Sequence, residues 1–163
     1  MIPYGKYRAI VTNVSDEKKM GRIRVKCPKI YGESESPYCL PCIPNGYFSL
    51  PEIGSTVWIE FEELDTEKPI YSGSWWTREN TPLGTDYTEA KDMNILKTSS
   101  GHTLTFYDKS GEEYIEVEDK NNNKITINNT GVIIESVGDV SFNVTQGNVT
   151  VNGTRVALIT DIP

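Results

Sequence analysis

The chain has 163 residues, with 16 Lys and Arg against 23 Asp and Glu, for a net charge of −7. That length holds one large domain or two small ones, each with only a modest core if it stood alone. The negative balance repels phosphate backbones and anionic membranes at long range, which makes nucleic acid a poor partner, and no apolar run approaches the roughly twenty residues of a membrane-spanning helix.

The opening MIPYGKYRAI lacks the basic and then apolar pattern of a secretory leader, so synthesis in the cytoplasm is expected. There the three cysteines, Cys27, Cys39 and Cys42, are expected as reduced thiols, their odd count fitting no disulfide framework. Tyr7 to Val14 is the first β-rich run. Gly21 to Cys27 alternates, with Ile23, Val25 and Cys27 on one side and Arg22, Arg24 and Lys26 on the other. Val57 to Glu62 alternates in the same way, and a further strand is predicted from Ile70 to Trp76 after a turn at Asp65 to Pro69. Several short strands in so few residues, with no period of 3.6, predict a small closed barrel over residues 1–76.

Residues 77–96 are polar at first, contain Pro82 and Gly84, and read as a linker. Strands return at Leu104 to Tyr107, Tyr114 to Glu118, Lys124 to Asn128, Val132 to Ser136, Val140 to Val144, Val149 to Asn152 and Arg155 to Ile159. From Lys124 they recur about every eight residues, each closed by a Gly- or Asn-bearing turn. Their alternating apolar sets (Ile125 and Ile127, Val132 and Ile134, Val140, Phe142 and Val144) are medium-sized and mostly β-branched. At roughly 25 cal/mol per Å², one such sheet facing water does not offset roughly 1.5 kcal/mol of ordering entropy per residue. Closure on two further copies removes the deficit and leaves no lateral edge. Residues 97–163 are therefore expected to form an intertwined, threefold β-prism, a stiff rod; an ordinary sandwich or solenoid tail is the alternative.

Gly21-Arg22-Ile23-Arg24-Val25 with Pro28, Phe48-Ser49-Leu50-Pro51-Glu52-Ile53-Gly54, Val57 to Phe61 and Pro69 to Ser74 resemble the OB-fold domain of phage baseplate spikes and of type VI secretion spikes. Lys97 to Leu104, and Gly111-Glu112-Glu113 before Tyr114, are similar to the entry of the triple-stranded β-helix in the same proteins. The resemblance implies an all-β chain: an N-terminal OB-fold barrel followed by a trimeric β-helical needle, located in a virion tail baseplate or tail-like particle. It implies a structural role without enzymatic chemistry, with the barrel seated under a separate hub protein and the needle piercing the host envelope when a sheath contracts. No cofactor is expected. The single histidine, His102, lies far from the C-terminal end, so the His-x-His iron site of some spike tips is absent, and a separate cap protein or the folded-back segment Arg155 to Pro163 would close the tip.

The chemical candidates all carry plainer readings. Cys39-Leu40-Pro41-Cys42 lies in an extended segment, where i and i+3 face opposite ways and no helix terminus lowers a thiol pKa, so these are read as buried structural thiols. No catalytic set surrounds His102, although Ser99, Ser100 and Asp108 are near in sequence; it is read as a turn residue. Glu112, Glu113, Glu116, Glu118 and Asp119 lack the calcium-loop pattern and read as solvated rod surface. Arg22, Arg24 and Lys26 could make an OB-fold face for single-stranded nucleic acid or glycan, the alternative function, but Glu60 and Glu62 are expected to pair with them across the sheet. Of Trp75 and Trp76, adjacent in a strand, one is expected in the core and one at an interface.

Overall fold

The computed structural model describes residues 4–78, 81–83 and 90–150. Its strands form two five-stranded sheets. The first contains β1 (Tyr7–Asn13), β2 (Arg24–Lys26), β3 (Leu40–Pro41), β4 (Thr56–Phe61) and β5 (Pro69–Ser72), in the order β2-β1-β4-β5-β3. All its pairings are antiparallel except the short parallel β3/β5 contact. The two outer strands then meet: the Ile23 amide donates to the Cys39 carbonyl at 3.2 Å and the Cys39 amide returns a bond to Ile23 at 2.8 Å. That reciprocal pair closes the sheet into an OB-like barrel and removes its edges.

Alternation fills the barrel as expected. Ile23, Val25, Cys27, Val57 and Ile59 are at most 1 % exposed and pack with Ala9, Val11, Phe61 and Tyr71. Each large aliphatic member contributes about 1.5–3 kcal/mol relative to exposure. Ser36 is also buried, and its hydroxyl accepts from the Val25 amide at 3.0 Å.

Two predicted strands are shorter than expected. The segment before Arg24 is drawn into a turn around Asp16, whose carboxylate accepts from the amides of Lys18, Met20 and Arg22. The strand beginning at Pro69 stops at Ser72 because Gly73, at φ +51°, turns the chain into a conformation that a strand residue does not adopt. A single helical turn, α1 (Pro28–Tyr31), follows β2 with proline in its first turn; four residues are too few to leave a helical period in the sequence.

The second sheet is an antiparallel meander of β6 (Met93–Lys97), β7 (Thr103–Tyr107), β8 (Tyr114–Glu118), β9 (Lys124–Asn128) and β10 (Gly131–Glu135), in the order β10-β9-β8-β7-β6. Strand β6 takes in residues 93–96, which read as linker in the sequence. Val140 to Val144, expected as a strand, forms none, and among the described residues no neighbouring strand offers it a ladder. The strand expected from Val149 runs into residues 151–163, and that expected from Arg155, with the tip, lies within them; both fall outside the described residues.

Candidate assembly surface

Antiparallel register assigns each side chain of the meander to one of two faces. Leu96, Leu104, Val117, Ile125 and Ile134 stand opposite one another across the five strands, and Asn94, Phe106, Ile115, Ile127 and Val132 form the adjacent row. Directly opposed residues share a face, and alternation puts both rows on the same one. The result is a sheet face whose only polar member, Asn94, sits at its margin and donates to Asp108 at 3.2 Å.

Among the described residues nothing covers this face. Leu96, Phe106, Ile115, Val117, Ile125, Ile127, Val132 and Ile134 are all exposed, from 40 % at Ile115 to 65 % at Val132. Beside its Leu96 row runs a groove of about 550 Å³, lined by Leu104, Val117, Ile125 and Ile134 and flanked by Val140. Contiguous apolar surface of this extent marks an interaction site.

The opposite face is self-sufficient by contrast. The Thr126 hydroxyl donates to Glu116 at 2.8 Å, Lys124 pairs with Glu135 at 2.9 Å, and Tyr107 stacks on Tyr114 with ring centres 4.9 Å apart. Thr105 and Tyr107 are buried there. Most side chains of this face are buried or in polar bonds, Ile133 being exposed, whereas the other face is apolar throughout apart from Asn94, which makes it the candidate surface for a partner.

The hairpin turns that set the register are themselves fixed. Asp119 accepts from the amides of Asn121 and Asn123 and from both side-chain amides, and these bonds, led by that from the Asn123 side chain, lower its pKa to about 2. The Asn123 side-chain oxygen accepts the Val137 amide at 2.8 Å, pinning the chain where it leaves β10. His102 is a turn residue: its amide donates to Thr98 Oγ1 at 3.1 Å and its Nδ1 accepts from the Lys120 amide at 3.3 Å. Ser99, Ser100 and Asp108 make no bond to it, and the carboxylates near Glu116 spread over the polar face and its turns. Among the described residues no group of three or more His, Cys, Asp and Glu could hold a metal ion.

On the barrel, the basic strand finds partners other than those expected. Arg22 bonds to Asp16, which holds that carboxyl well below the usual range, Lys26 pairs with Glu33 at 2.7 Å, and Arg22 and Arg24 both stack on Tyr38 at 4.4 Å. Glu60 lies one strand beyond reach, because β1 separates β2 from β4, and it pairs instead with Lys6 at 3.0 Å. Cys27 and Cys39 are buried, and burial pushes the Cys39 thiol up to about 11. Cys42 is a correction: it is exposed, as the alternation from Cys39 requires once Cys39 points inward. Trp75 is half-buried beneath Arg8, whose guanidinium lies 4.7 Å from its ring centre, and Trp76 is exposed.

Comparison with known proteins assigns both halves. Residues 7–76 match the model described as the type VI secretion system/phage-baseplate injector OB domain, and residues 94–157 match that of the phage baseplate V C-terminal trimerisation domain. A search of curated proteins returns no match. The first model coincides with the closed barrel, and the second begins at the strand that opens the bare sheet. Together they span most of the chain, which therefore belongs to the phage-baseplate and type VI secretion injector family, with an OB domain followed by a trimerisation domain.

Proposed function

We propose that the chain is the central spike of a contractile phage tail or tail-like injection machine, acting as a homotrimer. The observation that carries this reading is the exposed apolar face of β6–β10 in a segment matching a trimerisation domain. Three such faces turned inward about one axis give each other the cover that a single chain lacks, leaving the polar faces in water. The product is a β-prism, extended by the segment after β10 into a needle.

Its work is mechanical. Force delivered by sheath contraction passes from a separate hub protein through the barrel into a rod whose three chains share one core, so shear must expose apolar surface from all three at once. The rod leads through the host envelope, with a separate cap protein closing its tip. Negative-stain microscopy of the purified chain tests this: particles with a thin rod and a knob support it, and isolated globules contradict it.

A second reading, an OB-fold module for single-stranded nucleic acid or glycan, draws on the Arg22 and Arg24 guanidinium groups over Tyr38. Salt-sensitive retention on single-stranded DNA would favour it. The commitment of Arg22 to Asp16 and the net charge of −7 count against it.

A further inference from the structure

One arginine of the barrel is held in place with its donors unspent. Arg8 stands opposite Trp58 in the β1/β4 register, so the two side chains share the outer face. Its guanidinium lies 5.7 Å from the ring centre of Trp58 and 4.7 Å from that of Trp75. Contact with a ring spends none of the five N–H donors of a guanidinium on an acceptor. Among the described residues those donors meet no carboxylate or carbonyl, and the buried Trp75 indole N–H beside them also lacks an acceptor. Arg22 and Arg24 differ: both stack on Tyr38, but Arg22 bonds to Asp16 and Arg24 donates to the Ser36 carbonyl at 3.4 Å. Lys29 repeats the pattern of Arg8, its Nζ lying 5.6 Å from the Tyr7 ring centre with no carboxylate partner among the described residues. Lys6, Tyr7, Arg8, Pro28, Lys29 and Trp58 line one cleft of about 400 Å³, with no acidic residue in its wall. Glu60, two residues along β4 from Trp58 and so on the same face, is already taken by Lys6 at 3.0 Å.

We propose that this cleft is a docking site for an acidic segment of a partner protein, with Arg8 taking an aspartate or glutamate carboxylate in a bidentate pair and Lys29 taking a second. The chemistry of the cleft selects that occupant. Its uncommitted charged groups are all cations, so the ligand must bring acceptors and negative charge. A carboxylate brings both, in the planar shape that a guanidinium fork matches. Nucleic acid fits less well, because base stacking needs open aromatic faces, whereas Tyr7 carries Lys29 and the two indoles carry Arg8. Two free cations also release too few counterions to hold a polyanion against a net charge of −7. All of these groups lie in one barrel, so the site stands apart from the trimeric reading.

The test titrates the full-length chain, at low salt, into dansyl-labelled hexaglutamate and follows the anisotropy of the dye. Saturable binding is expected, competed by unlabelled hexaglutamate and absent with labelled hexaglutamine. Arg8→Gln should weaken it roughly ten- to hundredfold, the span of a charge-assisted pair. Arg8→Lys, which keeps the cation and loses the fork, and Lys29→Gln should each weaken it several-fold. Arg78→Gln removes an exposed arginine outside the cleft and should leave it unchanged. Thermal melts establish that each variant is folded, and Arg8→Lys and Lys29→Gln carry the test if Arg8→Gln is not. Absence of saturable binding by the wild-type chain overturns the proposal. Undiminished binding by Arg8→Lys overturns it as well, since the attraction would then be charge without a fork. Tighter binding of a labelled six-residue oligothymidine than of hexaglutamate also overturns it and assigns the cleft to nucleic acid.

Discussion

Replacing Ile125 by aspartate places a charge in the middle of the bare face. Ile125 is 46 % exposed in the single chain, so about half of the roughly 1.5–3 kcal/mol for burying such a side chain is gained only on assembly. That is about 1 kcal/mol per chain and about 3 kcal/mol for three, a loss of roughly 150-fold in association on its own. Aspartate adds the removal of three carboxylates from water, at several kcal/mol each, and their mutual repulsion. The total exceeds about 10 kcal/mol, enough to abolish assembly at micromolar concentration. Ile133 is the matched control: it has the same side chain, is 43 % exposed, sits on the neighbouring strand, and points to the polar face. Sedimentation velocity should show Ile125→Asp as single chains and Ile133→Asp at the wild-type mass. Fluorescence of Trp58, Trp75 and Trp76, all in the barrel, should be unchanged in both. The reasoning is refuted if Ile125→Asp keeps the wild-type mass, or if Ile133→Asp is the variant that dissociates.

Other tests follow from local geometry. A thiol reagent at neutral pH should modify Cys42 quickly and reach Cys27 and Cys39 only after denaturation, read as one and then three labels by mass spectrometry. Ser36→Ala should leave the buried Val25 amide without its acceptor and cost about 1–3 kcal/mol in the denaturant midpoint of the barrel. Asp119 has a folded pKa of about 2 against an ordinary 3.8, so its stabilisation is complete above the ordinary value and lost as pH falls through about 2. The melting temperature of Asp119→Ala should accordingly lie below wild type at neutral pH and converge with it toward pH 2.

Much of this architecture was legible in the residues. Ile23, Val25 and Cys27, or Val57, Ile59 and Phe61, alternate so regularly that a strand with one buried side is their only consistent reading, and the fold buries them. The strands at Tyr114–Glu118 and Lys124–Asn128 begin and end as the alternation and the flanking turn residues dictate. Ion pairing was not legible: Arg22 meets Asp16 because of a tight turn, and Glu60 meets Lys6 because of strand order, neither of which is a property of spacing along the chain. The bare face was only half visible. Ile125, Ile127, Val132 and Ile134 stood out, while Leu96, Leu104, Phe106, Ile115 and Val117 became part of the same surface only when the meander set them in register. Val140, Phe142 and Val144 keep a strand's alternation, yet among the described residues no strand pairs with them.

The most direct test of the trimer is the mass of the untouched full-length protein in dilute solution, by light scattering or sedimentation equilibrium. Three chain masses, persisting at submicromolar concentration, are expected. A single chain mass across that range, with the β6–β10 strands still folded by circular dichroism, would show that the apolar face is stable in water and would contradict the account.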